Sequence, residues 1–380
     1  MKKVLCFIDN LGSGGAQRQL VNIGVGLLRR GYEVEFLVYD SDDFFADTLN
    51  RHHIPITHLL TRTYWQRVLR VTGYLRRFKG EAVIAFLEVP GFLACLAHIG
   101  RPRWKLITNE LSAKSSTFTA RRNRFMNLFE RFSDAKVCNS QNARAMWENH
   151  YPQFKGKYRT IYNPVAIPED LVLEHRYKAD GILHMVVLAS YQELKNPVRL
   201  VRALSRLSAE ERARLRIDWY GQTQMEHSNT AVYDQVVRMI HESHLEKTIG
   251  MNGETHEAYG IMAQADMVGL FSTVEGLPNA ICEAMTIGRP ILMSRVSDHH
   301  VLADGNGILC DPESTVSIAD ALRQAIGKSP EELAAMGKRS AEKAAALFAK
   351  DQLIERWIHL LEEDGDPASN QKLKNSITHI

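Results

Sequence analysis

The sequence has no apolar run near the roughly 18 residues that a membrane-crossing helix needs. Its longest candidate, GFLACLAHIG, is too short. The opening MKKVLCFID reaches Asp9 before a signal-peptide core could form, so no secretory signal is read there. Five cysteines (6, 95, 138, 282 and 310) are odd in number and widely spaced, with no C-x-x-C. That pattern excludes a disulfide framework and reads as small buried residues in a reducing cytoplasm. No convincing metal set appears. D-S-D-D at 40–43 reads as a solvated turn, HESH at 241–244 lacks a third ligand, and His299-His300 reads as polar surface. No nucleic-acid recognition motif is present.

What is present is a globular composition, 45% hydrophobic and 24% charged, over 380 residues, a length that suits two domains. The net charge of +3 conceals an asymmetry: residues 1–180 carry 27 Lys+Arg against 17 Asp+Glu, and residues 181–380 carry 20 against 27. A basic half beside an acidic half suggests that one half meets an anionic surface or substrate.

Strand-like runs in the first half fall at 3–8, 33–39, 82–87, 105–108, 135–138 and 158–161, with helical patterns at 15–30, 64–78, 120–132 and 140–150. The second half repeats the rhythm, with strands at 183–189, 215–220, 248–252, 266–271, 290–293 and 307–310. Helices are expected at 197–207, 228–243, 278–287, 315–327 and through 331–362. Continuous apolar strands alternating with helices imply a parallel sheet covered on both faces. The expected architecture is α/β: two doubly wound domains facing an interdomain cleft, with ligands outside the carboxyl ends of the strands. The expected boundaries are 1–165, a linker at 166–181, 182–345, a helix at 346–365 packing back on the first domain, and a polar tail at 366–380.

Two stretches carry chemistry. LGSGGAQRQL (11–20) follows an apolar strand and opens a helix, where glycines receive phosphates. Gly12 and Gly14 fit a dinucleotide fingerprint, with Asp40 ending the next strand, but Gln17 stands where the third glycine should be. Gly14 and Gly15 form an adjacent pair before the helix. A phosphate-facing turn and a plain βα turn both remain open readings.

The second stretch is FSTVEGLPNAICEAMTIGRPILM (271–293). A strand ends at Ser272, a turn carries Glu275-Gly276-Leu277-Pro278-Asn279, and a helix runs from about Pro278, a first-turn position, to Gly288, a C-terminal cap. Such a helix start offers N–H groups and a positive dipole end to a diphosphate. Gly276 allows close backbone approach. Glu275 sits before the helix and Glu283 a little over one turn into it, so one carboxylate can reach a sugar near the diphosphate and the other a ribose.

This block resembles the signature of retaining glycosyltransferases of family 4, of GT-B architecture, at Ser272, Glu275, Gly276, Pro278, Glu283, Ala284, Met285, Gly288 and Pro290. GGAQRQLVNIGVGLLRRGYEV is similar to that family's opening loop and helix, IYNPV to its hinge, ELKNPVRLVRAL to its K-N segment and DGNGILCDP to its closing turn. The resemblance implies that Gly14 and Gly15 face the donor phosphate and that Lys195 binds the diphosphate. It further implies that Glu275 contacts the donor sugar, that backbone N–H groups of Leu277, Pro278's neighbours Asn279 and Ala280 hold oxygens, and that Glu283 accepts from ribose hydroxyls. Two departures stand out. The family's arginine five residues before the lysine is Ser190, leaving Arg18 or Arg199 to replace it. The histidine of the N-terminal cleft is replaced by Asn109 and Glu110, so Glu110 or Glu88 would assist acceptor deprotonation. His300 stands where the family often has Glu.

The implied activity is retaining, metal-independent transfer from a nucleotide-sugar, UDP-sugar favoured over GDP-sugar, to a glycan or lipid-linked acceptor in polysaccharide synthesis. RTYWQRVLRVTGYLRRFKG (62–80) and ARRNRFMNLFERF (120–132) mix arginine with aromatic residues. They read either as contacts to an anionic membrane at the inner face of the plasma membrane or as amphipathic helices with a basic solvent face. Competing readings are a GT-B nucleotide-sugar epimerase and a degenerate GT-B protein that binds nucleotide-sugar or glycan without turnover.

Overall fold

The computed structural model describes residues 1–100, 103–110, 116–165, 167–168, 170–223 and 229–363. The expected tail at 366–380 lies outside the described residues. The chain divides into two compact units, Met1–Pro164 joined by the segment from Lys350 onward, and Val165–Ala349.

The first unit contains β1 (Lys3–Phe7), β2 (Glu33–Val38), β3 (Ile56–His58), β4 (Ala82–Phe86), β5 (Lys105–Glu110), β6 (Ala135–Cys138) and β7 (Tyr158–Thr160). They form one parallel sheet in the order β3-β2-β1-β4-β5-β6-β7. The second contains β8 (Leu183–Leu188), β9 (Leu215–Tyr220), β10 (Ile249–Asn252), β11 (Met267–Leu270), β12 (Ile291–Ser294) and β13 (Gly307–Cys310), also parallel, in the order β10-β9-β8-β11-β12-β13. In both, strand order reverses beside the first strand, the place where doubly wound sheets bind ligands beyond their carboxyl ends.

Burial explains the parallel arrangement. Every residue of β4, AVIAF, is buried, as a strand covered on both faces requires. Leu5, Phe7, Val83 and Ala85 pack under the helices Tyr64–Arg77 and Glu88–Ala97. On the other side, the helix Gly15–Arg29 comes so close to Lys350–Glu362 that a methyl group on Gly26 would run into the Ile354 side chain. Trp357 of the second helix lies 6.3 Å from Phe86, ring centre to ring centre.

Three differences from the sequence reading have local causes. The helical stretch 331–362 is two helices, Pro330–Phe348 and Lys350–Glu362: the break falls at Ala349, at φ −55°, ψ 116°, a few residues beyond the expected boundary at 345/346, and the second helix belongs to the first unit. The helix expected over 120–132 is an α-helix, Arg121–Asn127, followed by a tighter 3₁₀ turn, Leu128–Phe132. The helix expected to start at Pro278 spans Asn279–Thr286, with Pro278 as the N-cap at ψ 90°.

The linking segment is anchored to the second unit. The buried Asp266 carboxylate accepts from His175 Nε2 and from the backbone N–H groups of Lys178 and His184, each at 2.8 Å. Arg289 donates to the Leu173 carbonyl at 3.1 Å.

Candidate active site

In the second unit, the segments after β8 and β11 meet at the carboxyl end of the sheet. Lys195 ends a 3₁₀ turn, Glu193–Lys195, and Asn196 follows in the left-handed region at φ 67°, a conformation asparagine tolerates better than most residues. Pro197 then opens the helix Pro197–Leu204 with its fixed φ. The buried Asn196 amide donates to the carbonyls of Phe271 (3.0 Å) and Pro312 (2.8 Å), tying the lysine loop to the turn after β11. The Thr273 N–H adds a bond to the Leu194 carbonyl at 2.8 Å.

This scaffold brings Lys195 and Glu275 together. Lys195 Nζ donates to Glu275 Oε1 at 2.6 Å, and the buried Ser272 hydroxyl donates to the same oxygen at 2.7 Å. Both side chains keep a minority of their surface exposed, 22% for the lysine and 12% for the glutamate. The pair therefore faces solvent yet is held in place from below.

The turn that carries Glu275 is fixed on its far side as well. Leu277 is buried, and the Ser297 hydroxyl donates to the Gly276 carbonyl. Ser297 itself sits at φ 53°, where a side chain is strained. The helix Asn279–Thr286 then begins, and the first N–H groups of such a helix have no acceptor within it. Asn279 is exposed and Ala280 partly so. Gly288 closes the segment at φ 76°. Glu283 lies four residues into the helix, about 6 Å along its axis from Asn279. It is half-buried, with the Tyr259 hydroxyl 3.5 Å from Oε1.

Of the two arginines expected to compensate for Ser190, Arg199 is engaged elsewhere: it donates to Glu313 Oε2 at 2.5 Å and to Asn196 Oδ1 at 3.2 Å. Arg18 is exposed on the first unit.

In the first unit, Gly14 is the N-cap of Gly15–Arg29, and both glycines are exposed. The loop leading to them is organised by Gln17 together with Asp9 and Asn10, two side chains given no role in the sequence reading. Asn10 Oδ1 accepts from the Gly12 N–H at 3.0 Å, and the Gln17 amide donates to Asn10 Oδ1 (3.1 Å) and Asp9 Oδ1 (3.3 Å). Gln17, which occupies the third-glycine position of a dinucleotide fingerprint, is thus the clasp of this loop. Burial pushes the Asp9 carboxyl above the usual carboxylate range, against the opposing pull of the Asn10 N–H and the Gln17 amide.

Glu110 ends β5 and is buried, as is Asn109 beside it. Glu88 opens the helix Glu88–Ala97, exposed, 3.4 Å from the Asn123 amide. Around Glu110 lies a charged cluster absent from the sequence reading. Lys136 Nζ donates to Glu130 Oε2 at 3.1 Å, and the hydroxyls of Thr108 and Ser133 donate to Glu130 Oε1 at 2.5 Å each. A lysine inside the apolar strand AKVC was the signal that could have revealed it.

Among the described residues no group of three or more His, Cys, Asp or Glu could hold a metal ion. His299, read as polar surface, is half-buried, with an Nδ1 that has no partner.

Two family models match the chain: "Glycosyltransferase Family 4" over residues 13–167 and "Glycosyl transferases group 1" over residues 182–328. A Campylobacter jejuni protein named as an N-acetylgalactosamine-N,N'-diacetylbacillosaminyl-diphospho-undecaprenol 4-alpha-N-acetylgalactosaminyltransferase is 21% identical over 75% of this chain and 78% of its own. A second protein of that organism, an alpha-1,4-N-acetyl-D-galactosaminyltransferase acting on a polyprenol-linked GalNAc glycan, is 20% identical over 96% and 99%. Among solved structures, Anabaena HepE in complex with UDP aligns with a TM-score of 0.79 at 18% identity, covering 95% of this chain and 99% of that one. WaaG, a glycosyltransferase involved in lipopolysaccharide biosynthesis, aligns with a TM-score of 0.70 at 16% identity, covering 95% and 100%.

Proposed function

Because the chain belongs to the glycosyltransferases of group 1 and family 4 and has their GT-B fold, we propose that it transfers a sugar from a nucleoside-diphosphate sugar to a glycan or lipid-linked glycan, with retention at the anomeric carbon. The observation that carries this reading is the Lys195–Glu275 pair at 2.6 Å, set before the start of the helix Asn279–Thr286. A cation from the loop after β8 brought against a hydrogen-bond acceptor and a helix N-terminus after β11 suits the pyrophosphate-to-sugar junction of such a donor.

In the proposed reaction the charge growing on the leaving diphosphate is met by Lys195, by the Leu277 amide in the turn and by the first amides of that helix, at Asn279 and Ala280, rather than by a divalent cation. Glu275, released from the lysine by the incoming phosphate, accepts from donor sugar hydroxyls. Glu283 accepts from ribose hydroxyls, with the Tyr259 hydroxyl steadying it. Gly14 and Gly15 offer a second, side-chain-free approach to the donor phosphate. Glu110 takes the proton of the acceptor hydroxyl. The UDP and UDP-glucose complexes of HepE support a uridine donor over a guanosine one, and the two Campylobacter relatives support a lipid-linked glycan as acceptor.

The first unit also suits peripheral contact with an anionic membrane. Trp65 and Leu69 on Tyr64–Arg77, and Phe125 and Leu128 at the end of Arg121–Asn127, are large apolar side chains left more than half exposed among arginines, an arrangement suited to an acidic headgroup layer. Among the described residues no helix is long and apolar enough to cross a membrane. Flotation with anionic vesicles tests this part: binding lost on changing Arg121, Arg122 and Arg124 to Glu supports it, and no dependence on lipid removes it.

The activity is tested by UDP or GDP release from a panel of nucleotide-sugars, with and without polyprenyl-diphosphate-linked oligosaccharides. Acceptor-stimulated release that survives EDTA supports the reading. Nucleotide binding without release points instead to a non-catalytic binding protein, and a changed sugar on the recovered nucleotide to an epimerase.

A further inference from the structure

A cavity of about 740 Å³ opens beside the helix Tyr64–Arg77, within the size range of small-molecule sites. Lys3 is the first residue of β1, and Phe78 and Lys79 lead from the helix toward β4, so the cavity reaches the amino ends of the strands. The proposed donor contacts lie at the carboxyl ends. No residue proposed to hold donor or acceptor lines this space.

The spacing of the helix sequence builds the cavity wall. Leu69, Gly73 and Arg77 follow one another at four-residue intervals and so share one ridge. A side chain added at Gly73 would meet nothing within 4 Å, so the ridge is open there. Arg70 and Arg77 stand two turns apart, about 10 Å along the axis, one on each side of the gap. Glycine is among the weakest helix formers, so the helix itself does not explain its place here.

The charge of the wall is one-sided. Lys3, Arg70, Arg77 and Lys79 line it against one carboxylate, Glu35. That carboxylate is engaged: Lys3 Nζ lies 2.9 Å from it and the Tyr74 hydroxyl donates to it at 3.5 Å. Lys3 also pairs with Glu33 at 2.9 Å, and Arg70 donates to the Leu60 carbonyl at 3.1 Å. The side chains of Arg77 and Lys79 have no hydrogen-bond or ion-pair partner among the described residues. Leu59, Leu69 and Phe78 supply apolar walls. Unengaged cations, engaged acceptors and apolar walls suit a phosphate on an apolar body better than the hydroxyls of a sugar.

We propose that this cavity holds the headgroup of one anionic phospholipid, its phosphate between Arg70, Arg77 and Lys79 and the start of its acyl chains against Leu59, Leu69 and Phe78. The inference deepens the proposed membrane contact of the first unit and rests on that reading for its source of lipid. Arginine matches phosphate with paired donors, and lysine adds a point charge. The apolar walls select an amphiphile over a free phosphate. Trp65, four residues before Leu69, continues the same ridge, and both side chains are exposed, as side chains that enter an interface are. Attraction of a basic helix to a headgroup layer needs no cavity. The gap at Gly73 is what separates a site for one lipid from a basic surface.

The test uses the full chain and a monomeric probe, dihexanoyl-phosphatidylglycerol below its micelle concentration, titrated by calorimetry. Wild type is expected to bind one equivalent, with no comparable binding of dihexanoyl-phosphatidylcholine or inorganic phosphate. Arg77→Gln should weaken the binding about tenfold or more. Gly73→Leu should abolish it, because leucine fills the gap, leaves every charge in place and suits a helix. Undiminished binding by Gly73→Leu overturns the proposal and leaves a basic surface without a pocket. Inorganic phosphate that binds as well as the lipid also overturns it, and tighter binding of geranyl diphosphate gives the cavity to a lipid-linked acceptor instead. Flotation with anionic vesicles scores the membrane reading separately. A chain that floats but does not titrate loses the pocket alone, and one that titrates without floating loses the membrane contact alone.

Discussion

Lys195–Glu275 and Lys136–Glu130 are the same two functional groups placed in different solvents. The first pair keeps 22% and 12% of its side-chain surface in water; the second keeps 7% on each side. A partly wet pair gains little from its own contact, because water and salt screen it, and either partner can be claimed by a ligand at small cost. A buried pair has lost its hydration, so each partner depends on the other, and separating them is expensive. The surroundings follow this division. Lys195 and Glu275 stand at a turn braced by Ser272, Asn196 and Ser297, with the functional atoms left at the surface. Lys136 and Glu130 are enclosed by Thr108, Ser133 and Trp147. The difference teaches that one pair is suited to exchange partners during a reaction and the other to stay unchanged through it.

Breaking the buried pair should have the largest effect on stability. Lys136→Met is expected to cost about 3–5 kcal/mol, measured by urea unfolding, whereas Lys195→Met should cost at most about 1 kcal/mol. Equal costs would erase the contrast. In turnover the order reverses. Lys195→Ala is expected to lower nucleotide release by about 10²–10³-fold through loss of transition-state charge stabilisation, with its melting temperature nearly unchanged. A smaller effect follows from the scaffold: Asn196→Ala leaves the carbonyls of Phe271 and Pro312 without their donor and should cost about 1–3 kcal/mol, with weaker nucleotide binding because the lysine loop loosens.

The smallest predicted effect is a pH dependence. Burial is the largest influence on Lys136 and pulls its proton affinity down, but Glu130 and Glu110 together outweigh it, leaving it above the ordinary value of 10.5. A group whose proton affinity is raised on folding stabilises the fold fully below its unfolded value and loses that contribution as pH rises through the folded one. The stability gap between wild type and Lys136→Met should therefore be constant from neutral pH to about 10 and narrow above 10.5. A gap that narrows on acidification instead would show that a carboxylate, not the lysine, governs it.

Much of this was legible in the sequence where a signal is local. The continuous apolar runs of β1, β4 and β8 announced buried parallel strands. The motif from Ser272 to Pro290 carried its own turn, helix start and glycine cap within one segment, so the placement of Glu275, Gly276 and Glu283 could be read residue by residue. β3, three residues at a sheet edge, was too short to register. The helix Glu88–Ala97 was missed because it is apolar almost all round and carries Pro90 and Gly91, so it shows neither a helical stripe nor uninterrupted helix formers. A separate last helix from 346 was expected, but the position of the break, at Ala349, has no local signal in an Ala-, Glu- and Lys-rich stretch; it follows from the chain joining a different unit. The Lys136 cluster was illegible for the same reason. It is assembled across β5, β6 and a turn by sheet register, and only the isolated lysine within AKVC hinted at it.

The most direct test of the central claim, that the second unit holds a nucleoside diphosphate at Lys195 and Glu283, is a thermal-shift and calorimetric comparison of UDP, GDP, ADP, CMP and NAD(H). It is made on wild type, Lys195→Ala and Glu283→Ala, since a ligand bound only by the native state raises the melting temperature by mass action. The account predicts selective stabilisation by UDP, or failing that GDP, lost in both variants. Stabilisation by NAD(H) alone, or by a nucleoside diphosphate undiminished in both variants, would contradict it.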